Sequence, residues 1–384
     1  MTDDHISPLR LDSADVWYCL VLVALALLVY FLAKGQAVPM WGDKVTFDGS
    51  YYLDIAMHGY AFNGDIESKQ NISFLPLQAA IMAATDALLP GHNHALKMAL
   101  TGAVVMFGTL LGFFALIPAF SSRQAARLAA LVWALGPLAF YTFVGYTEPL
   151  FALATIWCLV ALHRHWMWTA SLIVGAAVLG RPQAVILGLL VGVELLRQAQ
   201  WRPWRLLDGT AVFKMVVMAA PLMAFASWQA WRFGDSMVYT NSLEAWRLGS
   251  FDDGMLSFFP ALHYFFEALT TQPPQLTAWV VMLGGLTLLL VSTTFAFSTV
   301  LPARVLALYV GLLAFLAVFV SFDAANVARH VSFMVPWAIA IGSGIAMIDG
   351  RERNKYLAML PLLAFFVTIN VLAVMRYYRG EWVS

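Results

Sequence analysis

The chain has 384 residues, of which 61% are hydrophobic and 11% charged, and its formal net charge at pH 7 is zero. Soluble domains are about 45–50% apolar and about 25% charged, so this composition excludes a soluble protein and predicts an all-α polytopic membrane protein. The balanced charge offers no basic surface to nucleic acid. The two cysteines, Cys19 and Cys158, lie inside apolar runs and indicate neither a disulfide framework nor a metal cluster.

Long apolar runs predict the membrane-spanning helices, because about 20 residues cross the hydrocarbon. Runs on this scale lie at 16–34, 95–119, 124–143, 147–163, 211–232, 275–299, 302–320, 329–348 and 356–375. The first is too long for a signal-peptide core and is predicted to be an uncleaved anchor. Two shorter runs, 167–180 and 183–197, complete a set of eleven predicted spans.

A further apolar run at 72–90 decides the topology, because counting it as a span reverses every later loop. If it crosses, four basic turns lie outside, against the rule that Lys and Arg accumulate in cytoplasmic loops. Those turns are Arg123/Arg127, His163-Arg164-His165, Arg197/Arg202/Arg205 and Arg351/Arg353/Lys355. If it is a re-entrant or juxtamembrane helix, all four turns and the amino terminus lie inside. We therefore predict eleven transmembrane helices and an external carboxyl terminus.

This topology gathers the unusual polar residues on the external face. The external segments are then 35–94, 144–147, the break around 181, 233–274 and 321–329. We find no repeat and no soluble domain, so residues 1–384 are predicted to form one membrane domain. Its first external loop, 35–94, carries juxtamembrane helices, and 233–274 is a second large external loop with amphipathic pieces.

Residues 47–60, FDGSYYLDIAMHGY, mix acidic and aromatic side chains just after the first predicted span. Helical spacing over 49–59 stacks Asp54 and His58 at i and i+4. Asp48 is suited to capping this helix and equally to serving as a functional carboxylate.

Three other polar motifs lie at predicted external ends of spans. In Tyr146-Thr147-Glu148-Pro149, Thr147 can cap the next helix and Glu148 suits its positive end. In Gly180-Arg181-Pro182-Gln183, the proline breaks the helix, and such breaks at membrane depth need surrounding protein or a water-filled cavity. The alternative for Arg181 is an arginine that snorkels to the interface. The motif Asp323-Ala-Ala-Asn-Val-Ala-Arg329-His330 is either functional or a plain polar turn.

Metal ligands are not indicated by the spacing. His92 and His94 do not share a helical face, and Asp43 and Asp48 do not make a tight carboxylate pair. No cofactor is established, and a divalent metal is not indicated.

Together the motifs resemble those of the PIG-V-like glycosyltransferases, membrane enzymes of the GT-C superfold. FDGSYYLDIAMHGY resembles their W-D-G-x-W-Y-x-x-I-A-x-x-G-Y segment, SFLPLQAAI their F-F-P-L-Y-P helix and YTEPLF their Y-T-E-S-L-F. GRPQA resembles their T-R-P-x-G, and ARHVSFMVP their R-Y-x-x-x-x-x-P. The resemblance covers about residues 40–200 and 325–336. The departures are Phe47 for Trp, Leu75 for Phe, Gln78 for Tyr and His330 for Tyr.

The resemblance implies a transferase that moves a sugar, typically mannose, from a polyprenyl phosphate to an acceptor hydroxyl outside the cytosol. An external site fits such a donor, because a soluble nucleotide sugar would need a site on the inner face, where only basic turns are found. Small loops and the lack of a retention tail favour a bacterial inner membrane, with the site facing the periplasm or cell exterior.

Inverting transfer needs a carboxylate that takes the acceptor proton and cations that hold the leaving phosphate. Asp48 is the predicted general base. Glu148 is a second carboxylate, predicted to orient Arg181 or Tyr146. Arg181 and Arg329 are the predicted phosphate ligands, supported by His330. The predicted substrate contacts are Asp54, Tyr51, Tyr52, His58, Tyr60, Tyr146 and Asn326.

A transporter or flippase for a lipid-linked or anionic substrate is the alternative, because a broken helix such as 167–197 is also typical of transport sites. The absence of an inverted repeat in the sequence, and polar residues at one face rather than the midplane, favour the enzyme. A structural scaffold is a third hypothesis.

Overall fold

The computed structural model describes residues 11–246, 335–348 and 352–381. Over these ranges the chain is helical and contains no strand, which confirms the all-α prediction there. The described helices, numbered in order, are α1 (Ser13–Gly35), α2 (Asp48–His58), α3 (Pro76–Leu88), α4 (His94–Leu116), α5 (Arg123–Ala134), α6 (Glu148–His163), α7 (Met167–Ala177), α8 (Val185–Gln198), α9 (Gly209–Phe233), α10 (Val238–Ser242), α11 (Val335–Ala346) and α12 (Glu352–Arg379).

Four helices in the described ranges are long and apolar enough to cross a membrane, namely α1, α4 with the turn that follows it, α9 and α12. The shorter helices α6, α7 and α11 are also apolar. These elements match predicted spans in position. The predicted spans 275–299 and 302–320 lie outside the described residues, so the total of eleven stays a prediction.

The prediction of a continuous helix over 124–143 is wrong. α5 ends at Ala134, and the chain continues through a 3₁₀ turn at Ala139–Phe143. The cause is Gly136-Pro137, since proline lacks a backbone donor and biases the preceding residue away from helix. Residues 132–149 are nevertheless all buried. Asn370 of α12 helps to satisfy this irregular backbone, because its Oδ1 accepts from Phe140 N at 3.0 Å.

The predicted break near residue 181 is present. Arg181 has an extended backbone, and a 3₁₀ turn at Pro182–Ala184 leads into α8. The start of α3 covers the break, because Leu77 N donates to Leu179 O at 2.9 Å. A backbone acceptor exposed by the interruption is thereby satisfied within the protein.

One end of the bundle, the basic end, collects the basic turns. Asp15 at the start of α1 is fully buried and accepts from Arg123 Nε of α5 at 2.7 Å. α4 and α6 run in parallel, because a Cβ added at Gly108 would meet Leu153 and one added four residues later at Gly112 would meet Ile156. The end of α6 therefore lies beside the start of α5. His165, just after α6, contacts Glu194 of α8 at 3.6 Å.

The opposite end, the site end, carries α2, α3 and the break at residue 181. The hydroxyls of Tyr30 in α1 and Tyr378 in α12 are hydrogen-bonded, and Lys44 Nζ donates to Tyr378 O. α3 has only 13 residues, and Asp86 near its end pairs with Lys97 of α4 at 2.6 Å. Since its start lies at the α7–α8 break, α3 lies across this end of the bundle.

α11 packs closely against α5 because small residues line the contact. A Cβ added at Gly342 would lie 2.4 Å from Ala129 N, so only glycine permits this approach. The packing of α11 on α5 joins the carboxyl-terminal part of the chain to the core.

Candidate active site

The segment 47–60 forms α2, which begins at Asp48, close to the predicted start. Asp48 is the first helical residue, and the capping position belongs to Phe47. The capping hypothesis for Asp48 is therefore wrong in position, although a carboxylate in a first helical turn is still favoured by the helix dipole. Phe47 has φ 52°, a value rare for a non-glycine residue. Its carbonyl accepts from Ser50 N at 2.9 Å and Ser50 Oγ at 2.6 Å.

Two other parts of the chain fix the position of Asp48. The ring of Tyr377 in α12 packs on that of Phe47 with 5.3 Å between ring centroids. The Tyr377 hydroxyl donates to Thr46 O at 2.7 Å. On the other side, a Cβ added at Gly49 would lie 2.5 Å from Val144 O. The start of α2 is thus packed between α12 and the buried irregular segment 135–147.

Arg181 is buried and points into the protein. Its Nη1 lies 2.7 Å from Glu148 Oε1, with side-chain exposures of 9% for Arg181 and 3% for Glu148. Weaker contacts of 3.4 Å join Arg181 to Thr147 Oγ1 and Gln183 Oε1. The snorkelling alternative is therefore wrong. Thr147 precedes α6 at the capping position but makes no side-chain capping bond, whereas Glu148 begins that helix as predicted.

Tyr52 connects Asp48 with the Arg181–Glu148 pair. The Tyr52 side chain is buried, and burial raises the pKa of its phenol well above the ordinary value. The charge of Asp48 raises this pKa further, while Arg181 and a hydrogen bond with Thr147 oppose the rise. The phenol therefore lies within electrostatic reach of both the α2 carboxylate and the Arg181 guanidinium, and it stays neutral at physiological pH.

Tyr239 is a residue of this site that the sequence analysis missed. It lies on α10, just after α9, and its N–H donates to Gln229 Oε1 at 2.7 Å. Burial raises the pKa of Tyr239 to about 12, and the charge of Arg181 opposes the shift. α10 is held to the 3₁₀ turn at Asn71–Ser73 by Ser73 Oγ, 3.1 Å from Ser242 Oγ. No recognisable motif surrounds Tyr239, so the sequence carries no signal for it.

An apolar cavity of about 460 Å³ opens beside Arg181. Its polar boundary is formed by Arg181 and Thr147, and the rest of its wall comes from α6, α7 and α3. The other lining residues are Leu77, Leu150, Phe151, Leu153, Ala154, Trp157, Ile173, Ala176, Ala177 and Gly180. A buried cation at one end of an apolar cavity suits a ligand with an anionic head and a hydrocarbon chain.

Asp54 and His58 lie on the outer side of α2. They contact each other at 3.0 Å, as the i, i+4 spacing predicts, with side-chain exposures of 51% for Asp54 and 76% for His58. Asp54 Oδ2 also accepts from Asn71 Nδ2 at 2.7 Å, and Asn71 Oδ1 accepts from Ala61 N at 2.9 Å. The Asp54 carboxylate thus braces the loop after α2, and neither residue is brought beside Arg181.

The predicted tyrosines pack in aromatic contacts at the site end, and none of them lines the cavity beside Arg181. Tyr51 stacks on Phe74 at 4.8 Å between centroids, and Tyr60 Oη donates to Phe74 O at 2.7 Å. Tyr146 is buried, 6.4 Å from Tyr377 between ring centroids. The structure thus brings Asp48, Tyr51, Tyr52 and Tyr146 to the same end as Arg181.

Arg329, His330 and Asn326 lie outside the described residues, so their placement stays a prediction. Within the described ranges, no group of three His, Cys, Asp or Glu side chains is arranged to hold a metal ion.

No model of a known protein family and no curated protein matches the sequence. Solved structures do match the fold. ArnT from Cupriavidus metallidurans, solved bound to undecaprenyl phosphate, aligns with a TM-score of 0.55 and 16% identity over 94% of this chain and 75% of ArnT. The oligosaccharyltransferase of Archaeoglobus fulgidus, solved with Zn and sulfate, aligns with a TM-score of 0.52 and 11% identity over 94% of this chain and 53% of the oligosaccharyltransferase.

The archaeal oligosaccharyltransferase AglB from Archaeoglobus fulgidus, solved with an inhibitory peptide and a dolichol-phosphate, aligns with a TM-score of 0.50 and 13% identity over 97% of this chain and 57% of AglB. At such low identity these alignments establish the fold alone. The chain therefore shares its fold with ArnT and with the archaeal oligosaccharyltransferase, and the alignments do not single out a PIG-V-like enzyme.

Proposed function

We propose that this protein is a membrane glycosyltransferase that moves a sugar from a polyprenyl-phosphate donor to an acceptor hydroxyl at the site end of the bundle. One observation carries the proposal. The charges of Asp48 and of the buried Arg181 both act on the phenol of Tyr52, and Arg181 borders the apolar cavity of about 460 Å³. A cation and an apolar cavity suit a lipid-phosphate donor, and a carboxylate can take the proton of the acceptor hydroxyl.

In the proposed reaction, the acceptor oxygen attacks the anomeric carbon while Asp48 takes the hydroxyl proton. The bond between the anomeric carbon and the phosphate oxygen breaks, and the lipid phosphate leaves with the electron pair. Arg181 stabilises the negative charge that grows on the phosphate, and Glu148 holds the guanidinium in position. A single displacement of this kind inverts the anomeric configuration.

The apolar cavity is proposed to hold the first isoprene units of the donor, with the phosphate at Arg181. Its lining is hydrocarbon apart from Thr147 and Arg181, so it suits a chain rather than a sugar. The lipid carriers in the ArnT and AglB structures, undecaprenyl phosphate and a dolichol-phosphate, support this class of donor.

The finer assignments rest on the resemblance to PIG-V-like enzymes. They are mannose as the sugar, Arg329 and His330 as further phosphate ligands, and Asn326 as a substrate contact. Tyr239 joins the proposed phosphate side because the charge of Arg181 acts on its phenol. The external orientation of the site follows from the basic turns at the other end of the bundle.

Replacement of Asp48 by Asn tests the proposal. The amide keeps the shape of the side chain but takes no proton, so we expect turnover to fall by about a hundredfold or more. The assay follows consumption of a polyprenyl-phosphate hexose by the purified protein in detergent, with products identified by mass spectrometry. Glu67→Gln is the matched control, because it makes the same chemical change at an exposed position of the same loop.

Turnover of Asp48→Asn at the parent rate would exclude Asp48 as the base. A parent protein that binds the donor but leaves it unchanged in micelles would instead favour the transporter, which needs two compartments for a measurable effect. The acceptor can be identified from the glycolipids and glycoproteins that lose a sugar when the gene is deleted.

A further inference from the structure

The connection between α8 and α9 carries exposed aromatic and basic side chains in alternation. Residues 201–205 read Trp-Arg-Pro-Trp-Arg, and the 3₁₀ turn at Pro203–Leu207 has no buried residue. The exposures of Trp201 and Trp204 are 63% and 65%. This connection lies at the basic end, opposite Asp48 and Arg181. Two large indoles are thus presented outward where a water-soluble surface would carry polar groups.

A second connection extends the same surface. Trp166 and Trp168, after α6, are 45% and 43% exposed. Trp168 lies 5.6 Å from Phe213 of α9 between ring centroids, and Lys214 Nζ lies 5.3 Å from the Trp168 ring. The connections after α6 and α8 thus flank the start of α9. We call Trp166, Trp168, Trp201, Arg202, Trp204, Arg205 and Lys214 the tryptophan–arginine patch.

The patch is positively charged because it carries three cations, Arg202, Arg205 and Lys214, which outnumber the carboxylates beside it. Glu194 pairs with Arg197 at 2.6 Å, and Asp208 accepts from Thr210 N at 3.1 Å as the cap of α9. Arg205 Nη1 donates to Gln200 Oε1 at 2.7 Å. This bond uses one of the five N–H donors of the Arg205 guanidinium.

We propose that the tryptophan–arginine patch binds the headgroup phosphate of an anionic phospholipid in the leaflet at the basic end. Indole rings favour the headgroup level of a bilayer, and guanidinium groups bind phosphate oxygens through paired hydrogen bonds. A neutral headgroup pairs its phosphate with its own cation, so the excess positive charge of the patch selects an anionic lipid. This site is independent of the proposed sugar transfer, because it lies at the other end of the bundle.

The test uses the full-length protein in detergent, titrated with tail-brominated phosphatidylglycerol or tail-brominated phosphatidylcholine. Bromine quenches indole fluorescence on contact, so we expect saturable quenching by phosphatidylglycerol at lower concentrations than by phosphatidylcholine. Arg202→Gln combined with Arg205→Gln should weaken phosphatidylglycerol binding roughly 25-fold, because each basic residue near an anionic surface contributes about fivefold. Arg202→Lys combined with Arg205→Lys should retain most of the preference for phosphatidylglycerol over phosphatidylcholine, since it keeps both charges.

The matched control is Arg376→Gln with Arg379→Gln, which removes two exposed arginines from the site end. It should bind phosphatidylglycerol like the parent. Equal quenching by the two lipids, or equal loss in both double Gln variants, would overturn the proposal and leave an ordinary aromatic belt. Loss of binding in the double Lys variant as well would also count against recognition by charge.

Discussion

At the scale of single residues, the Arg181–Glu148 pair combines a structural and a functional role. Both side chains are at least nine-tenths buried and lie 2.7 Å apart. Breaking such a pair leaves an uncompensated buried charge, whereas removing both charges together is often tolerated. A simple loss of activity on mutation of Arg181 would therefore not separate folding from phosphate binding.

A double variant separates the two roles. Arg181→Gln alone should lower the thermal denaturation midpoint, since removing one partner of a buried ion pair costs about 3–5 kcal/mol. Arg181→Gln with Glu148→Gln should recover most of that stability but not donor binding, because no cation remains there for the phosphate. Denaturation curves and donor titrations on the purified variants provide the comparison. A double variant with parental donor affinity would mean that Arg181 is only structural.

At the scale of elements, the placement of α2 depends on one close approach. The backbone at Gly49 comes so near to Val144 that a Cβ there would lie 2.5 Å from the carbonyl oxygen. Because Asp48 is the adjacent residue, any shift of α2 away from this contact also moves the proposed base. The aspartate is therefore positioned by packing against the turn that precedes α6.

Gly49→Ala should reduce turnover at least about tenfold, since a displacement near 1 Å of a catalytic group can cost about a hundredfold. Donor binding at Arg181 should change less, because neither Gly49 nor Val144 lines the cavity. Gly192→Ala on α8 is the control, as a Cβ there meets nothing within 4 Å and alanine favours helix. Parental kinetics in Gly49→Ala would show that α2 tolerates the shift.

At the scale of the whole molecule, the two ends of the bundle differ in chemistry. The basic end holds Asp15 with its arginine partners and the tryptophan–arginine patch. The site end holds α2, α3, Arg181 and the cavity. The structure fixes which segments share an end, while the assignment of the basic end to the cytoplasm rests on the distribution of Lys and Arg.

Cysteine labelling in intact cells tests that orientation. In a background without Cys19 and Cys158, Glu67→Cys at the site end should react with a membrane-impermeant maleimide added outside. Gln198→Cys at the basic end should react only after permeabilisation, because the membrane shields it. Strong labelling of Gln198→Cys in intact cells would invert the predicted topology.

The sequence by itself determined the class of protein, the approximate helices and most of the candidate residues. Composition and run length are properties of the chain alone, so they predict membrane helices directly. The helix over 49–59 and the break at Arg181 were likewise predicted, because proline and helical periodicity act locally. The interruption by Gly136-Pro137 had the same local signal, which the prediction of a span over 124–143 did not use.

Only the tertiary structure decided which polar residues share a site. It paired Glu148 with Arg181, turned Asp54 towards Asn71, and placed the phenol of Tyr239 within reach of the charge of Arg181. These choices depend on how α2, α7 and α10 pack at one end of the bundle, over separations in sequence that no local pattern encodes. Spacing along one helix gives the face on which a side chain lies, whereas the partner on that face is set by the packing of another helix.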